Sequence, residues 1–90
     1  MNDLLRKATA GTMESSDVYV EVEPSDKGLT IELESVVKAQ FGPSILQTVE
    51  DVLRECGVEN ALVRIADRGA LDCVIRARVE TAIARGKEEN

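Results

Sequence analysis

The sequence predicts an α+β fold, a small two-layer sandwich in which two helices cover one face of a three-stranded sheet. Two segments in the first half alternate strictly between apolar and polar residues, as half-buried strands do. Two later segments repeat apolar residues at helical spacing, and a short apolar run separates them. The order strand, strand, helix, strand, helix buries these faces most simply in two layers.

The first two strands are predicted at 18–23 (VYVEVE) and 29–35 (LTIELES). In each strand the aliphatic side chains share one face, and the other face is rich in glutamate. The segment between them, PSDKG, contains Pro, Ser, Asp and Gly, all of which favour turns. This pattern predicts a hairpin of two neighbouring strands with an acidic solvent face.

Helical spacing follows the second strand, but Gly42 and Pro43 interrupt it. Proline lacks an amide donor and disfavours helical geometry in the residue before it. We therefore expect a short turn at 36–41 and the main helix at 43–56. Gly57 then supplies the C-terminal stop.

The third strand is predicted at 60–67, where Leu62 and Ala66 add apolar surface to the second face. If this strand pairs parallel to the second strand, the intervening helix forms a right-handed crossover. The second helix is predicted at 70–85, because its apolar residues recur at helical spacing.

Ninety residues make one small domain, in which most aliphatic side chains share a single core. We expect a flexible leader over 1–16, a single α+β domain over 17–86 and a frayed tail over 87–90. Cys56 and Cys73 lie in the predicted helices and are expected to be buried free thiols. With no histidine and no CxxC spacing, no metal site is expected.

The composition disfavours several classes of partner. Seventeen acidic against eleven basic side chains give a net charge of −6, which would repel a phosphate backbone and an anionic membrane surface. Tyr19 and Phe41 are the only aromatic residues, so base stacking is disfavoured. No apolar stretch reaches the length of a membrane span or a signal peptide core. We expect a cytoplasmic protein that binds neither nucleic acid nor membrane.

Two adjacent serines, Ser15 and Ser16, precede the first predicted strand. A nucleophilic serine needs a base within hydrogen-bond reach, and histidine, the usual base, is absent from the chain. No pair of carboxylates stands out as an acid–base couple. From these residues alone, the favoured interpretation is that Ser15, Ser16 and Asp17 turn the chain into the strand.

Two blocks of sequence favour a functional interpretation of the serine pair instead. AGTMESSDV at 10–18 and DRGALDCVIRARVETA at 67–82 resemble the acyl carrier protein, or gamma subunit, of citrate lyase. The segment VVKAQFGPSI at 36–45 fits between them, and the resemblance covers nearly all of 8–85. It implies a non-catalytic carrier. A serine that only accepts a group from another enzyme needs no base of its own.

The resemblance implies that Ser15 is the attachment residue, esterified through a phosphodiester to a phosphoribosyl-dephospho-coenzyme A group by a prosthetic-group transferase. It also implies that this group carries acetyl and citryl thioesters between a transferase (alpha) and a lyase (beta) subunit, in the cleavage of citrate to acetate and oxaloacetate. In that family the position of Ser16 is often glycine. Attachment at Ser16 is therefore the alternative.

The block 67–82 has two interpretations. In the first it begins a helix, with Asp72 and Arg76 as an i,i+4 ion pair. In the second, Arg76 or Arg78 contributes to a docking surface for partner subunits or cofactor phosphates.

Three alternatives to citrate lyase remain open from the sequence. The carrier subunit of malonate decarboxylase uses the same kind of serine-linked cofactor, and a citramalate lyase could not be distinguished by these residues. The third is a non-covalent interaction module whose acidic sheet face binds a basic partner.

Overall fold

The computed structural model describes residues 3–88, without the side chains of residues 38 and 39. It confirms the predicted α+β class, with two helices packed on one face of a sheet. The elements are β1 (Ala8–Gly11), β2 (Val18–Pro24), β3 (Leu29–Ser35), α1 (Lys38–Glu55), β4 (Ala61–Asp67) and α2 (Asp72–Gly86). Residues 1, 2, 89 and 90, which belong to the predicted leader and tail, lie outside the described residues.

The sheet has four strands, so the predicted count of three is wrong. The additional strand, β1, lies inside the segment that we expected to be a leader, and it pairs antiparallel with β2. Its sequence, ATAG, is short and lacks an alternating pattern of large apolar residues, so periodicity gave no signal for it. The chain before β1 is also held, because Leu5 and Arg6 donate backbone hydrogen bonds to the carbonyl of Gly86.

The predicted hairpin is also wrong. The strand order is β1-β2-β4-β3, so β4 lies between the two strands that the sequence places side by side. β4 pairs antiparallel with β2 and parallel with β3. The segment β3-α1-β4 is thus the parallel crossover that the sequence left open, and β4 lies on the inner side of β3. β4 is the strand best covered by neighbours, with Ala61, Val63, Ile65 and Asp67 all buried.

Because β3 lies at the edge of the sheet, its apolar side chains are only partly covered. Ile31 and Leu33 are half-buried, and Leu29 is exposed although the alternation predicted it to face the core. The outer face of the sheet is acidic, as predicted. Arg64 at its centre contacts Glu21 at 2.6 Å, and it lies 3.2 Å from Glu23 and 3.3 Å from Glu32.

Helix α1 begins before Gly42 and Pro43, where the sequence predicts a separate turn. Pro43 is the sixth residue of this helix. Because proline has no amide hydrogen, the helix loses one hydrogen bond there, the one that would reach the carbonyl of residue 39. The helical spacing of apolar residues predicted for this segment is confirmed, since Ile45, Val49, Val52 and Leu53 are buried. The packing of these residues outweighs the local cost of the proline.

One hydrophobic core lies between the helices and the sheet. Three consecutive inward-facing valines of β2 form its centre, and α2 covers β1 and β2 with a buried stripe of its own. These residues are Val18, Val20, Val22, Ile75, Val79, Ala82 and Ile83. The geometry places the β1–β2 connection, the end of β4 and the start of α2 at the same end of the molecule.

Candidate functional site

The loop that joins β1 to β2 contains a tight turn at 14–17, and Ser15 is the second of its four residues. The carbonyl of Glu14 accepts a hydrogen bond of 3.1 Å from the amide of Asp17, which closes the turn. The side chain of Ser15 is exposed. A residue at this corner of a turn projects away from the sheet, so the hydroxyl of Ser15 is accessible to another macromolecule.

Ser16 is the third residue of the turn and has a φ of 67°. It is the only described residue other than glycine with a positive φ. Turns with a left-handed third residue favour glycine, because L side chains crowd the backbone there. The amide of Ser16 is also used, since it donates a 2.8 Å hydrogen bond to the carbonyl of Arg68. Ser16 therefore has a backbone role in the turn, whereas Ser15 is at its free corner.

Asp17 holds the turn against the rest of the molecule. The guanidinium of Arg78 on α2 donates to both carboxylate oxygens of Asp17, with Nε at 3.1 Å and Nη2 at 3.0 Å. The hydroxyl of Thr12 donates to the same carboxylate at 2.7 Å, and so does the amide of Val18. A bidentate arginine contact fixes orientation as well as distance.

These contacts also set the charge of Asp17. The Arg78 hydrogen bonds, followed by those from Thr12 and Val18, lower the pKa of the Asp17 carboxyl to about 2. A carboxylate with so low a pKa is a poor proton acceptor at neutral pH. Asp17 therefore positions the loop and is poorly suited to activate a neighbouring serine.

Gly11 makes the close packing of this loop possible. Its φ is +88°, and a Cβ atom at this position would stand 1.8 Å from the carbonyl oxygen of Val18. The same atom would lie 3.3 Å from Cδ of Arg78. Only a glycine lets the end of β1 approach β2 and the Asp17–Arg78 pair so closely.

A second loop, between β4 and α2, packs directly beside the turn. The amide of Arg68 donates to the carbonyl of Asp17 at 2.9 Å, in return for the bond from Ser16 to Arg68. Asp67 closes this second loop, because its buried carboxylate accepts hydrogen bonds from the Ser35 hydroxyl and the Ala70 amide. The two sequence blocks that carry the resemblance thus meet in space at Ser16, Asp17 and Arg68.

The predicted pair between Asp72 and Arg76 does not form. Arg76 contacts Glu55 of α1 at 2.7 Å, and Asp72 accepts a hydrogen bond from the hydroxyl of Thr48, also on α1. Both residues therefore link the two helices instead of stabilising one of them. Arg78, which the sequence left as a candidate for docking, donates hydrogen bonds from its guanidinium to Asp17. No signal in a single sequence joins residues 61 positions apart.

The two cysteines differ from each other. Both are free thiols, as expected, and Cys56 is half-buried. Burial raises the pKa of the Cys56 thiol, which lowers its reactivity. Cys73 is exposed in the first turn of α2, so the expectation that it is buried is wrong. Its place on the helix faces away from the stripe formed by Ile75 and Val79.

Neither a metal site nor a membrane-spanning helix is found within residues 3–88. No group of three or more Asp, Glu or Cys side chains in that part of the chain is arranged to hold a metal ion. None of the helices described there is long and apolar enough to cross a membrane.

An accessible serine held on a turn is suited to modification by another enzyme. Comparison with known proteins identifies the family. The acyl carrier family described as "Malonate decarboxylase delta subunit (MdcD)" matches residues 5–86. The chain belongs to this family of acyl carrier proteins, which are non-catalytic subunits of larger complexes.

The relatives narrow the class further. The chain is 49% identical over 87 residues to "Citrate lyase acyl carrier protein 2" of Salmonella typhimurium (strain LT2), covering 96% of this chain and 90% of that protein. It is 50% identical over 86 residues to "Citrate lyase acyl carrier protein" of Rhodopseudomonas palustris (strain BisA53), covering 96% and 89%. The resemblance to citrate lyase acyl carrier proteins is thereby confirmed.

A solved structure shares the fold. A chain in the crystal structure of a Pseudomonas malonate decarboxylase hetero-tetramer in complex with malonate superimposes with a TM-score of 0.74 at 28% identity. The match covers 89% of this chain and 82% of that one. This chain therefore shares its architecture with a chain of that hetero-tetramer.

Proposed function

We propose that this protein is the acyl carrier subunit of a citrate lyase, and that Ser15 is the residue that bears its prosthetic group. The observation that carries the proposal is the turn at 14–17. It presents the hydroxyl of Ser15 to solvent while hydrogen bonds from Arg68 and Arg78 fix the residues that follow. The 49% identity to carriers named for citrate lyase supports the choice of complex.

The proposed group is phosphoribosyl-dephospho-coenzyme A. Attachment forms a bond between Oγ of Ser15 and phosphorus, while the hydroxyl proton leaves and the donor's leaving group departs with its electron pair. The separate prosthetic-group transferase supplies the base. The exposed side chain of Ser15 fits this requirement, because a transferase must reach both the oxygen and the phosphorus in line with it.

When attached, the group supplies a terminal thiol that carries acyl groups as thioesters. The role of the chain is to hold one end of this tether on a small domain that binds alternately to the transferase (alpha) and lyase (beta) subunits. Tethering replaces free diffusion with a local concentration in the millimolar range for a short flexible link. The raised pKa of the Cys56 thiol limits its competition for the acyl group.

Turnover by the reconstituted complex tests the function. A complex that contains the wild-type carrier, co-produced with the prosthetic-group transferase, is expected to cleave citrate. Ser15→Ala is expected to abolish turnover, and Ser16→Ala, the matched control on the same turn, is expected to retain it. Equal activity of the Ser15→Ala complex would refute the assignment.

A second candidate is the carrier of malonate decarboxylase, which the family description and the superimposed hetero-tetramer both favour. The same carrier preparation can be combined with the subunits of either complex and supplied with citrate, citramalate or malonate. Support of malonate decarboxylation alone would replace citrate lyase with this candidate.

A further inference from the structure

A groove lies beside the Ser15 turn, between the starts of the two helices. It has a volume of about 340 Å³, and we call it the inter-helix groove. Its walls are mainly apolar and come from both helices and the segments that precede them: Val37, Phe41, Ile45, Leu71 and Ile75. Gly69 and Ala70 of the β4–α2 loop line its floor.

The inter-helix groove adjoins the attachment site through a continuous backbone contact. The amide of Ser16 bonds to the carbonyl of Arg68 at 2.8 Å, and Gly69 in the floor is the next residue along the chain. Consecutive Cα atoms are about 3.8 Å apart. A flexible group anchored on Ser15 therefore starts within a few residue lengths of the groove.

Two rim side chains leave apolar surface open to solvent. Phe41 is 51% exposed and Leu71 is 71% exposed, in a chain with few large exposed apolar residues. Removing such surface from water is favourable, at about 25 cal/mol per Å². A ligand that covers the rim would gain this energy without any rearrangement of the core.

The charges of the inter-helix groove select the kind of ligand. Asp67 and Asp72 line it, and no arginine or lysine is among its lining residues. Phosphates and carboxylates are disfavoured beside them. The N-cap of α2 is Leu71, whose side chain cannot accept a hydrogen bond from the first-turn amides. The amides of Val74 and Ile75 already bond to the carbonyl of Leu71, so the amide of Asp72 is the one suited to a carbonyl oxygen of a neutral ligand.

We infer that the inter-helix groove holds the uncharged, thiol-bearing pantetheine end of the group attached at Ser15, an inference that rests on the proposed function. Pantetheine alternates methylene groups with neutral amides, which matches apolar walls and a peptide donor. The anionic part of the group stays outside, where it is not opposed by Asp67 and Asp72. The groove shelters the thiol between visits to partner subunits.

Thiol accessibility tests this inference on holo-protein whose mass has first been verified. The probe is iodoacetamide, and the rate is followed on the Ser15 peptide by mass spectrometry, so that Cys56 and Cys73 do not interfere. The double variant Phe41→Ala and Leu71→Ala is expected to react roughly fivefold faster than wild type. The reason is that losing about one apolar contact lowers the population of the state in which the groove shelters the thiol. Both side chains are largely exposed, so the fold should tolerate the change.

Leu5→Ala is the matched control, because Leu5 is 60% exposed but lies at the opposite end of α2, where its amide bonds to Gly86. It should react at the wild-type rate. Amide chemical shifts give an independent readout, with Gly69, Ala70 and Ile75 shifting between apo- and holo-protein. Wild-type thiol reacting as fast as free pantetheine, with shift changes confined to 12–17, would overturn the inference while leaving attachment intact. A preparation with no added mass would instead refute the proposed function.

Discussion

The carboxylate of Asp17 accepts hydrogen bonds from two nitrogen atoms of Arg78, from the hydroxyl of Thr12 and from the amide of Val18. Three separate parts of the chain therefore converge on one side chain, and the turn that carries Ser15 follows from that convergence. A lysine in place of Arg78 could not make the same two-nitrogen contact, because its ammonium is a point charge.

The low pKa of Asp17 makes part of the stability dependent on pH. The pKa of this carboxyl falls from 3.8 to about 2 in the folded protein, so the unfolded chain binds more protons between these values. The stabilisation is fully present above the unfolded pKa and is lost as the pH falls through the folded one. In urea unfolding measured between pH 6 and pH 2, Asp17→Asn is expected to lose less stability on acidification than wild type.

Some acid sensitivity should remain in that variant, since hydrogen bonds from Asn60 and Gln47 also lower the pKa values of Asp3 and Asp51. Asp26→Asn, in the exposed β2–β3 turn, is the control and should follow the wild-type profile. Identical pH profiles for Asp17→Asn and wild type would show that the Asp17 contacts contribute nothing to folding.

Single residues were predicted unevenly from the sequence. Ser15 was singled out because the short contiguous block around it resembles citrate lyase acyl carrier proteins, and its role stays a prediction. The Asp17–Arg78 pair was not, because the contact depends on how α2 crosses β1 and β2, which local periodicity does not encode. Cys73 was predicted to be buried because helical spacing defines the apolar face only approximately. In α2, polar and apolar residues often stand next to each other, so the edge of the buried face was not clear from the sequence.

At the scale of elements, the β1–β2 hairpin is the unit that presents the serine. Gly11 ends β1 where the strand comes closest to β2, and a side chain there would overlap the carbonyl of Val18. Gly28, between β2 and β3, has a similar φ of +84°, but a Cβ atom added there would meet nothing within 4 Å. Substituting Gly28 therefore tests backbone strain alone, whereas substituting Gly11 tests strain and steric overlap together.

We expect Gly28→Ala to lower the free energy of unfolding by about 1–2 kcal/mol, the cost of the left-handed region for an L residue. Gly11→Ala should cost about 3 kcal/mol or more, because the overlap adds to the same strain. Urea denaturation of both variants measures this difference. Equal losses would mean that β1 can move away from β2 without cost.

The sequence predicted the type and position of five elements but not their order in the sheet. A short turn-rich link such as 24–28 is typical of a hairpin, yet here it passes across the start of β4, where the amide of Ala61 bonds to the carbonyl of Gly28. The apolar residues on both faces of β4 were the available sign of a central strand. Pro43 misled the prediction because local propensity was weighed above packing.

At the scale of the whole molecule, two surface regions stand out. The outer sheet face carries the glutamates around Arg64, and the Ser15 turn and the inter-helix groove lie together at one end. A net charge of −6 on so small a domain opposes binding to anionic polymers but not to protein subunits.

The central claim is that Ser15 bears the prosthetic group, and intact mass tests it most directly. Wild-type protein and Ser16→Ala, each co-produced with the prosthetic-group transferase, are expected to gain the mass of phosphoribosyl-dephospho-coenzyme A. Ser15→Ala is expected to keep the mass of its unmodified chain. An adduct that persists in Ser15→Ala, or that disappears only in Ser16→Ala, would contradict the account.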